Sequence, residues 1–219
     1  MFKAVEFQDN PGNGGLSPML KPGQHFVRLR KIELTTPPYG DGELRQLEFV
    51  FETKDLGNDF EGLLIDRNEP DYGRYGGQIA YAKAGKYAFK TYVTKKGNEY
   101  ERDTQIYNFI NKLAKDIGML EVLKEAKVEG SDIEEYVANA AKHLVNLENY
   151  FWITLNGKEY MNKGYVNYNL FLAPSVNGSS SVTLNKENLT HFDPAYNIER
   201  LAPVTSDNAS GEVEDDSPF

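Results

Sequence analysis

Residues 81–102 interleave cationic and aromatic side chains in a pattern that suits one kind of ligand chemistry. The side chains of interest in this stretch are Tyr81, Lys83, Lys86, Lys90, Tyr92, Lys95 and Lys96. Ammonium groups neutralise phosphates and aromatic planes stack on unpaired bases, so an exposed surface of this composition favours single-stranded nucleic acid. The alternative is an ordinary amphipathic hairpin, whose solvent face also accommodates lysine and tyrosine.

Residues of the same two types occur outside this stretch. Some lie in a glycine-rich loop just before it, and others lie on predicted strands, on the side opposite the apolar face. These further candidates are Arg28, Arg30, Tyr72, Arg74, Tyr75, Tyr150, Trp152 and Tyr165. The alternatives stay open here as well, because arginines also solubilise an edge strand and a tryptophan on one side of a sheet also fits under a helix.

Residues that could carry catalysis lack the required spacing. His25, His143 and His191 are far apart in the sequence and form no HExxH pattern, and the chain has no cysteine for a thiolate zinc site or a thiol nucleophile. Neither a phosphate-binding Walker sequence nor a nucleophile elbow occurs. We expect no enzymatic activity, no cofactor and no bound metal.

The charge of the chain is concentrated at one end. The 219 residues carry a formal net charge of −9, and residues 206–219 contain five acidic residues with no lysine or arginine. The remainder is therefore only mildly acidic and can still present local basic surfaces to a polyanion. No signal-peptide pattern and no run of about 18 apolar residues is present, so we expect a soluble protein without membrane contact.

Apolar periodicity predicts the elements that carry these residues. An alternation of two predicts strands, and Lys96-Gly97-Asn98 supplies turn chemistry for a hairpin. The predicted strands cover 24–34, 44–53, 60–66, 149–155 and 165–174, and the predicted hairpin covers 85–102. A second hairpin turn is predicted at Asn156-Gly157, a dipeptide typical of such turns.

The period changes to 3.6 between these groups of strands. Residues 103–118 have one apolar stripe, with Asp103 as the predicted N-cap and Gly118 as the predicted stop. A short helix is predicted at LEVLKEAK, and the capping-box spacing of Ser131 and Glu134 predicts the start of a third helix.

This order of elements predicts the fold class. Three strands, a helical segment and two further strands follow one another in an OB-fold, a five-stranded and partly open barrel. We expect a mainly β, α+β protein: an OB-fold barrel with a β-hairpin and helices inserted between strands 3 and 4. OB barrels bind oligonucleotides or oligosaccharides on one face, in agreement with the cationic and aromatic pattern.

The predicted domain organisation has four parts. An N-terminal arm or loop precedes the binding domain, which carries the insertion at about 72–147, and a polar linker or loosely docked segment leads to a disordered acidic tail. In order, these parts are residues 1–23, 24–174, 175–204 and 205–219.

The last residues, EVEDDSPF, resemble a known family. Bacterial and phage single-stranded DNA-binding proteins (SSBs) end in an acidic run followed by Ile-Pro-Phe or by a final Phe. The matching positions are Asp215, Asp216, Pro218 and Phe219, whereas Ser217 stands where the family usually has isoleucine. The resemblance implies that this tip docks on replication or repair enzymes through its ring and its carboxylate.

The resemblance also implies what the whole protein does. It is similar to a phage-type SSB, which coats and protects single strands during phage replication and recombination, and which works in the host bacterial cytoplasm. Two alternatives stay open. One is a non-catalytic protein-interaction or virion-associated module with a solubilising tail, and the other is a cryptic metal-dependent nucleic-acid enzyme.

Overall fold

A computed structural model describes residues 19–40, 42–54, 76–176 and 178–201. The described part is mixed α+β and mainly strand, in agreement with the predicted class. Its strands are β1 Gly23–Thr35, β2 Gln46–Thr53, β3 Ile79–Lys83, β4 Tyr92–Val93, β5 Glu99–Tyr100, β6 Tyr150–Asn162, β7 Tyr165–Leu172, β8 Val182–Thr183 and β9 Ile198–Glu199. Its helices are α1 Arg102–Asp116, α2 Leu120–Glu125, α3 Ile133–Leu144 and α4 Pro194–Asn197, with a 3-10 turn at Lys186–Asn188.

Five of these strands form a ring in one sheet. β1 pairs antiparallel with both β2 and β6, β2 pairs antiparallel with β3, β3 pairs parallel with β7, and β7 pairs antiparallel with β6. The short strands β8 and β9 add to β6, whereas β4 and β5 form a separate two-stranded sheet. The ring leaves few unpaired edges, which are a liability in an open sheet.

β1 reaches both of its neighbours because it bends. Its first half pairs with β6 and its second half with β2, and the register with β2 shifts between Leu29 and Lys31. A bulge of this kind adds a residue and increases the local twist. Val27 and Leu29 are fully buried, and after the bulge Ile32 takes the next inward position.

Helices α1, α2 and α3 share one hydrophobic core with the strands. The apolar stripe predicted on α1 is confirmed, since Ile106, Ile110 and Leu113 are buried in the same core as the strands. Gly118 has φ +74, the left-handed conformation expected just after a helix end. None of the helices in the described ranges has the combined length and apolar character needed to cross a bilayer.

Both predicted helix caps are displaced. Glu101 is the N-cap of α1 in place of Asp103, and it makes no side-chain cap bond. At α3 the cap is Asp132, whose carboxylate accepts from the Glu135 amide at 2.8 Å, while the Glu135 carboxylate accepts from the Ser131 amide at 2.7 Å. The cap therefore lies one residue later than predicted, and only half of a capping box is made, because the Glu135 carboxylate binds the amide before the cap residue and not that of Asp132 itself.

The turn predicted at Asn156-Gly157 is wrong. β6 runs straight through both residues to Asn162, and the chain turns at Lys163 and Gly164, whose φ values are +50 and +83. Gly157 instead serves close packing, because a Cβ there would lie 2.3 Å from the Pro22 side chain.

The region before α1 also differs from the prediction. β3 is not among the predicted strands, and the predicted strand 60–66 lies outside the described residues. The predicted hairpin shrinks to β4 and β5, because Phe89 bridges to Arg45 beside β2 and packs against the core. Partial burial of the Phe89 side chain against the core outweighs the short-range alternation that favours a longer hairpin.

Residues 178–201 pack on β6 through apolar and polar contacts. Val182 and Leu189 are buried, and the Thr154 hydroxyl donates to the Thr190 carbonyl at 2.7 Å. Glu159, itself almost fully buried, accepts from Arg200 and from the Leu201 amide.

A buried carboxylate joins the strands where the ring closes. Glu52 on β2 is fully buried and accepts from the Arg28 guanidinium at 2.8 Å, and Arg30 lies 3.2 Å from the same oxygen. Its other oxygen accepts from the Gly77 amide at 3.3 Å, just before β3. A Cβ at Gly77 would lie 2.2 Å from the Thr53 carbonyl oxygen, so this approach requires glycine.

Replacement of Glu52 by glutamine removes the buried negative charge that the Arg28 and Arg30 guanidinium groups both contact. We expect Glu52→Gln to lower the free energy of unfolding by about 3 kcal/mol. Glu48→Gln is the matched control, since Glu48 lies on the same strand without an ion-pair partner in the described residues, and it should stay within about 0.5 kcal/mol of the wild type. Urea unfolding measures both, and equal stability of the two variants would contradict a structural role for Glu52.

Candidate nucleic-acid interface

A groove of about 650 Å³ opens on the outer side of the ring. Residues of β1, β2, β3, β6 and β7 line it, together with Met19, Leu20 and Lys21. We call it the Tyr81 groove and define it by Lys21, Lys31, Tyr81, Lys83, Tyr160 and Tyr168.

Strand register explains why these side chains face one another. Ala80 and Ala82 point into the core, so Tyr81 and Lys83 point outward. Tyr81 lies opposite Val50, which in turn lies opposite Lys31. β3 and β7 pair only at their ends, where Ala82 and Lys83 meet Leu170 and Phe171, and the first half of β7 therefore forms a separate wall.

The groove carries both charges, with a small positive excess. Lys31 pairs with Glu33 at 2.8 Å. Lys21 and Lys83 have no ion-pair partner within the described part of the chain. Two lysines are thus available for phosphates beside a tyrosine that is 46% exposed.

A second group of aromatic side chains stands on the β4–β5 hairpin, residues 92–100. Tyr92 and Tyr100 lie directly opposite each other, and their rings stack with centroids 5.1 Å apart and planes 10° apart. Lys90, Lys95 and Lys96 are exposed around them. Gln105 of α1 donates to the carbonyls of Lys90 and Tyr100, which fastens the hairpin to the helix.

A third group lies on β1 and β6, and we call it the Phe26 cluster. Phe26 lies opposite Trp152, and its ring centroid is 5.1 Å from that of Trp152 and 5.5 Å from that of Tyr150. Cations cover the cluster, since Lys186 lies 4.5 Å from the Trp152 ring centre and Arg28 lies 5.7 Å from the Tyr150 ring centre. The cluster shares no residue with the Tyr81 groove.

The predicted site residues therefore divide among several places. Tyr81 and Lys83 lie in the groove, and Tyr165, which is 75% exposed, begins the strand that forms its far wall. The hairpin region carries Lys90, Tyr92, Lys95 and Lys96, and the Phe26 cluster carries Arg28, Tyr150 and Trp152. Outside the described residues lie Tyr72, Arg74, Tyr75, Asp215, Asp216, Pro218 and Phe219.

Two predicted cations have partners in the fold. Arg30 is directed at Glu52, and its side chain is only 13% exposed. Arg28 binds Glu52 and also donates to the Leu147 carbonyl at 2.9 Å, so most of its donors are used within the protein. Phosphate binding by either arginine would compete with the buried carboxylate.

Several residues of these surfaces were not singled out from the sequence. Lys31 lies beyond a bulge that breaks the alternation, and Tyr160 lies beyond a turn that was expected too early. Lys21 and Lys186 come from segments without a regular period, where only tertiary contacts bring them to a site.

Comparison of this chain with protein-family models, with curated proteins and with solved structures gives no match. The candidate interface therefore rests on the geometry of this chain. Within the described residues, no three His, Asp or Glu side chains come together in a group that could hold a metal ion.

The exposed tyrosines of the hairpin contribute little to the stability of the fold. We expect Tyr92→Ala to lower the free energy of unfolding by at most about 1 kcal/mol, because it removes one exposed ring pair. Phe89→Ala, three residues away, should cost about 3 kcal/mol because Phe89 packs against the core. Urea unfolding compares the two, and a larger loss for Tyr92→Ala would show that this ring is structural.

Proposed function

We propose that this protein binds single-stranded DNA without strong sequence preference and protects it, with the Tyr81 groove and the β4–β5 hairpin as its contact surface. One observation carries the proposal: Tyr81 and Lys83 both point outward from β3, so an exposed ring lies beside a lysine without an ion-pair partner in the described residues. Stacking accepts any base and ammonium groups accept any phosphate, so such a surface recognises strand and not sequence. The protein has no catalytic role in this proposal.

The arrangement of the ring supports the proposal. We infer an OB-like fold, because five strands close in one sheet and helices α1, α2 and α3 lie between the third and fourth strands of the ring. In OB-folds, oligonucleotides lie across strands 2 and 3 and the adjoining loops. The Tyr81 groove lies on the outer side of β2 and β3.

The chain after β3 extends this surface. Residues 84–90 continue along β2, where the Ala84 amide donates to the Leu47 carbonyl and Phe89 bridges to Arg45. They lead from Lys83 directly to Tyr92. A strand lying on Tyr81 can therefore continue towards the stacked tyrosines of the hairpin.

Recruitment of replication or repair enzymes is the second part of the proposal. It rests only on the resemblance of Asp215, Asp216, Pro218 and Phe219 to the SSB tip. A segment that orders only on binding derives its binding energy from a few anchors, and in the SSB tip an aromatic ring and a carboxylate provide two kinds of contact.

Loss of the Tyr81 ring should weaken DNA binding without unfolding the protein. A stacked base contributes about 1–3 kcal/mol, so Tyr81→Ala should raise the Kd for a labelled oligo(dT) about tenfold. Tyr107→Ala is the matched control, because Tyr107 on α1 is 48% exposed and Tyr81 is 46% exposed. Fluorescence anisotropy at two salt concentrations measures Kd, and added salt should weaken binding by the wild type.

Other outcomes of this titration separate the alternatives. Absence of binding by the wild type would refute the proposal and favour a protein-interaction module. Cleavage of the oligonucleotide in Mg²⁺ or Mn²⁺ would favour a nucleic-acid enzyme. Trp152 is the single tryptophan, so quenching of its emission together with an unchanged Kd for Tyr81→Ala would move the interface to the Phe26 cluster.

A chain that stops after Thr205 separates the two parts of the proposal. It lacks the acidic residues 206–219, whose charges compete with phosphates for the same lysines. We expect it to bind oligo(dT) at least as tightly as the full chain and to lose capture of replication enzymes from a host extract. Weaker DNA binding by the shortened chain would show that the tail is part of the DNA interface.

A further inference from the structure

A second cavity of about 860 Å³ lies across the β3–β7 junction from the Tyr81 groove. The two are adjacent because Lys83, in the groove, pairs directly with Phe171, in the cavity. We call it the Glu199 cavity and define it by Lys86, Tyr87, Lys112, Phe171, Tyr196 and Glu199.

Glu199 occupies a position between two cations. Its carboxylate lies 2.7 Å from the Lys86 ammonium and 3.0 Å from the Lys158 ammonium, and all three side chains are between 40% and 53% exposed. The hydrogen bond from Lys86, followed by that from Lys158, holds the pKa of Glu199 below its ordinary value. The same bond raises the pKa of Lys86. Two lysines that converge on one exposed carboxylate form a site for an anion.

Exposed rings stand on the walls of the cavity. Tyr87 is 77% exposed and Tyr196 is 86% exposed, and Phe171 lines the same cavity. Lys86 lies 5.5 Å from the Tyr87 ring centre, so a cation and a ring come together here as they do at Tyr81 and Lys83. This pairing is the requirement for a stacked base with its phosphate.

Glu199 can leave its two lysines while β9 stays in place. The segment is held by other contacts: β9 pairs with β6, the Asn197 side chain donates to Asn156 at 2.7 Å, and the Arg200 side chain and the Leu201 amide donate to Glu159. Only a half-exposed side chain has to move.

We propose that the Glu199 cavity is a second nucleotide subsite, in which a phosphate of the bound strand displaces the Glu199 carboxylate from Lys86 and Lys158. The proposal rests on the proposed function, since the strand reaches this cavity from the Tyr81 groove. Glu199 occupies the phosphate position in the free protein and competes with the incoming strand. Because the strand enters from the Tyr81 groove and must displace Glu199, only a strand long enough to reach the cavity fills the subsite.

Glu199→Gln tests the subsite, because it removes the competing charge and keeps the size of the side chain. Oligo(dT) of about 6 and about 16 nucleotides, within the range that one OB-fold covers, should distinguish one subsite from two. For the long strand we expect about fivefold tighter binding and a salt dependence steeper by about 0.7 for each released lysine. The short strand should bind as it does to the wild type.

Variants that should weaken binding of the long strand, in contrast to Glu199→Gln, exclude an effect on folding as the explanation. Lys86→Ala and Tyr196→Ala should each weaken binding of the long strand about fivefold, with the short strand unaffected, since a lost phosphate or stacking contact acts only where the strand reaches. Glu121→Gln on α2 is the control for a carboxylate beside a lysine, because Glu121 pairs with Lys124 away from both cavities, and it should change neither strand.

Two results would overturn the subsite. One is an unchanged affinity of Glu199→Gln for the long strand, and the other is an equal change for both strands. If the wild type binds both strands and Tyr81→Ala weakens both, while the variants at Glu199, Lys86 and Tyr196 behave like the wild type, the subsite fails and the proposed function stands. If the wild type binds neither strand, the proposed function itself fails.

Discussion

The ring of strands depends on β1 holding two neighbours at once. At Arg28 both pairings coincide, because this residue lies opposite Glu52 of β2 and opposite Tyr150 of β6. The Arg28 guanidinium binds the buried Glu52 carboxylate and lies near the Tyr150 ring, so one cation connects three strands. Breaking a buried pair of this kind leaves an uncompensated charge, which makes the contact a strong constraint on geometry.

The candidate interface follows from this closure. Once the ring is fixed, alternate residues of β3 must point outward, and the parallel contact of β3 with β7 sets the Tyr81 groove on one side of Lys83 and the Glu199 cavity on the other. The two recesses share a pairing of lysine with tyrosine. They differ in that Lys83 has no ion partner in the described residues, whereas Lys86 is held by Glu199. Such a surface suits a strand that first contacts Lys83 and then displaces Glu199 from Lys86.

Local sequence predicted much of the fold and part of the site. The inward faces of β1, β2 and α1 follow from periods of 2 and 3.6, because apolar residues that recur at these spacings, such as Leu29 and Ile110, all lie on one face of their element. β3 escapes prediction because IAYAK is short and follows a glycine-rich loop, and Gly157 resembles a turn residue because its real constraint, close packing against Pro22, is a tertiary contact. Tyr81 and Lys83 were found from composition. The Glu199 cavity could not be predicted in this way, because Lys86, Lys158 and Glu199 meet only through tertiary pairing.

Photo-cross-linking tests the central claim most directly. An oligo(dT) strand that carries 5-iododeoxyuridine is irradiated with the full chain, and cross-linked peptides are mapped by mass spectrometry. Binding of single strands on the outer side of β2 and β3 predicts cross-links at Tyr81 and on the β4–β5 hairpin. Cross-links confined to the Phe26 cluster, or none from an oligonucleotide that anisotropy shows to be bound, would contradict it.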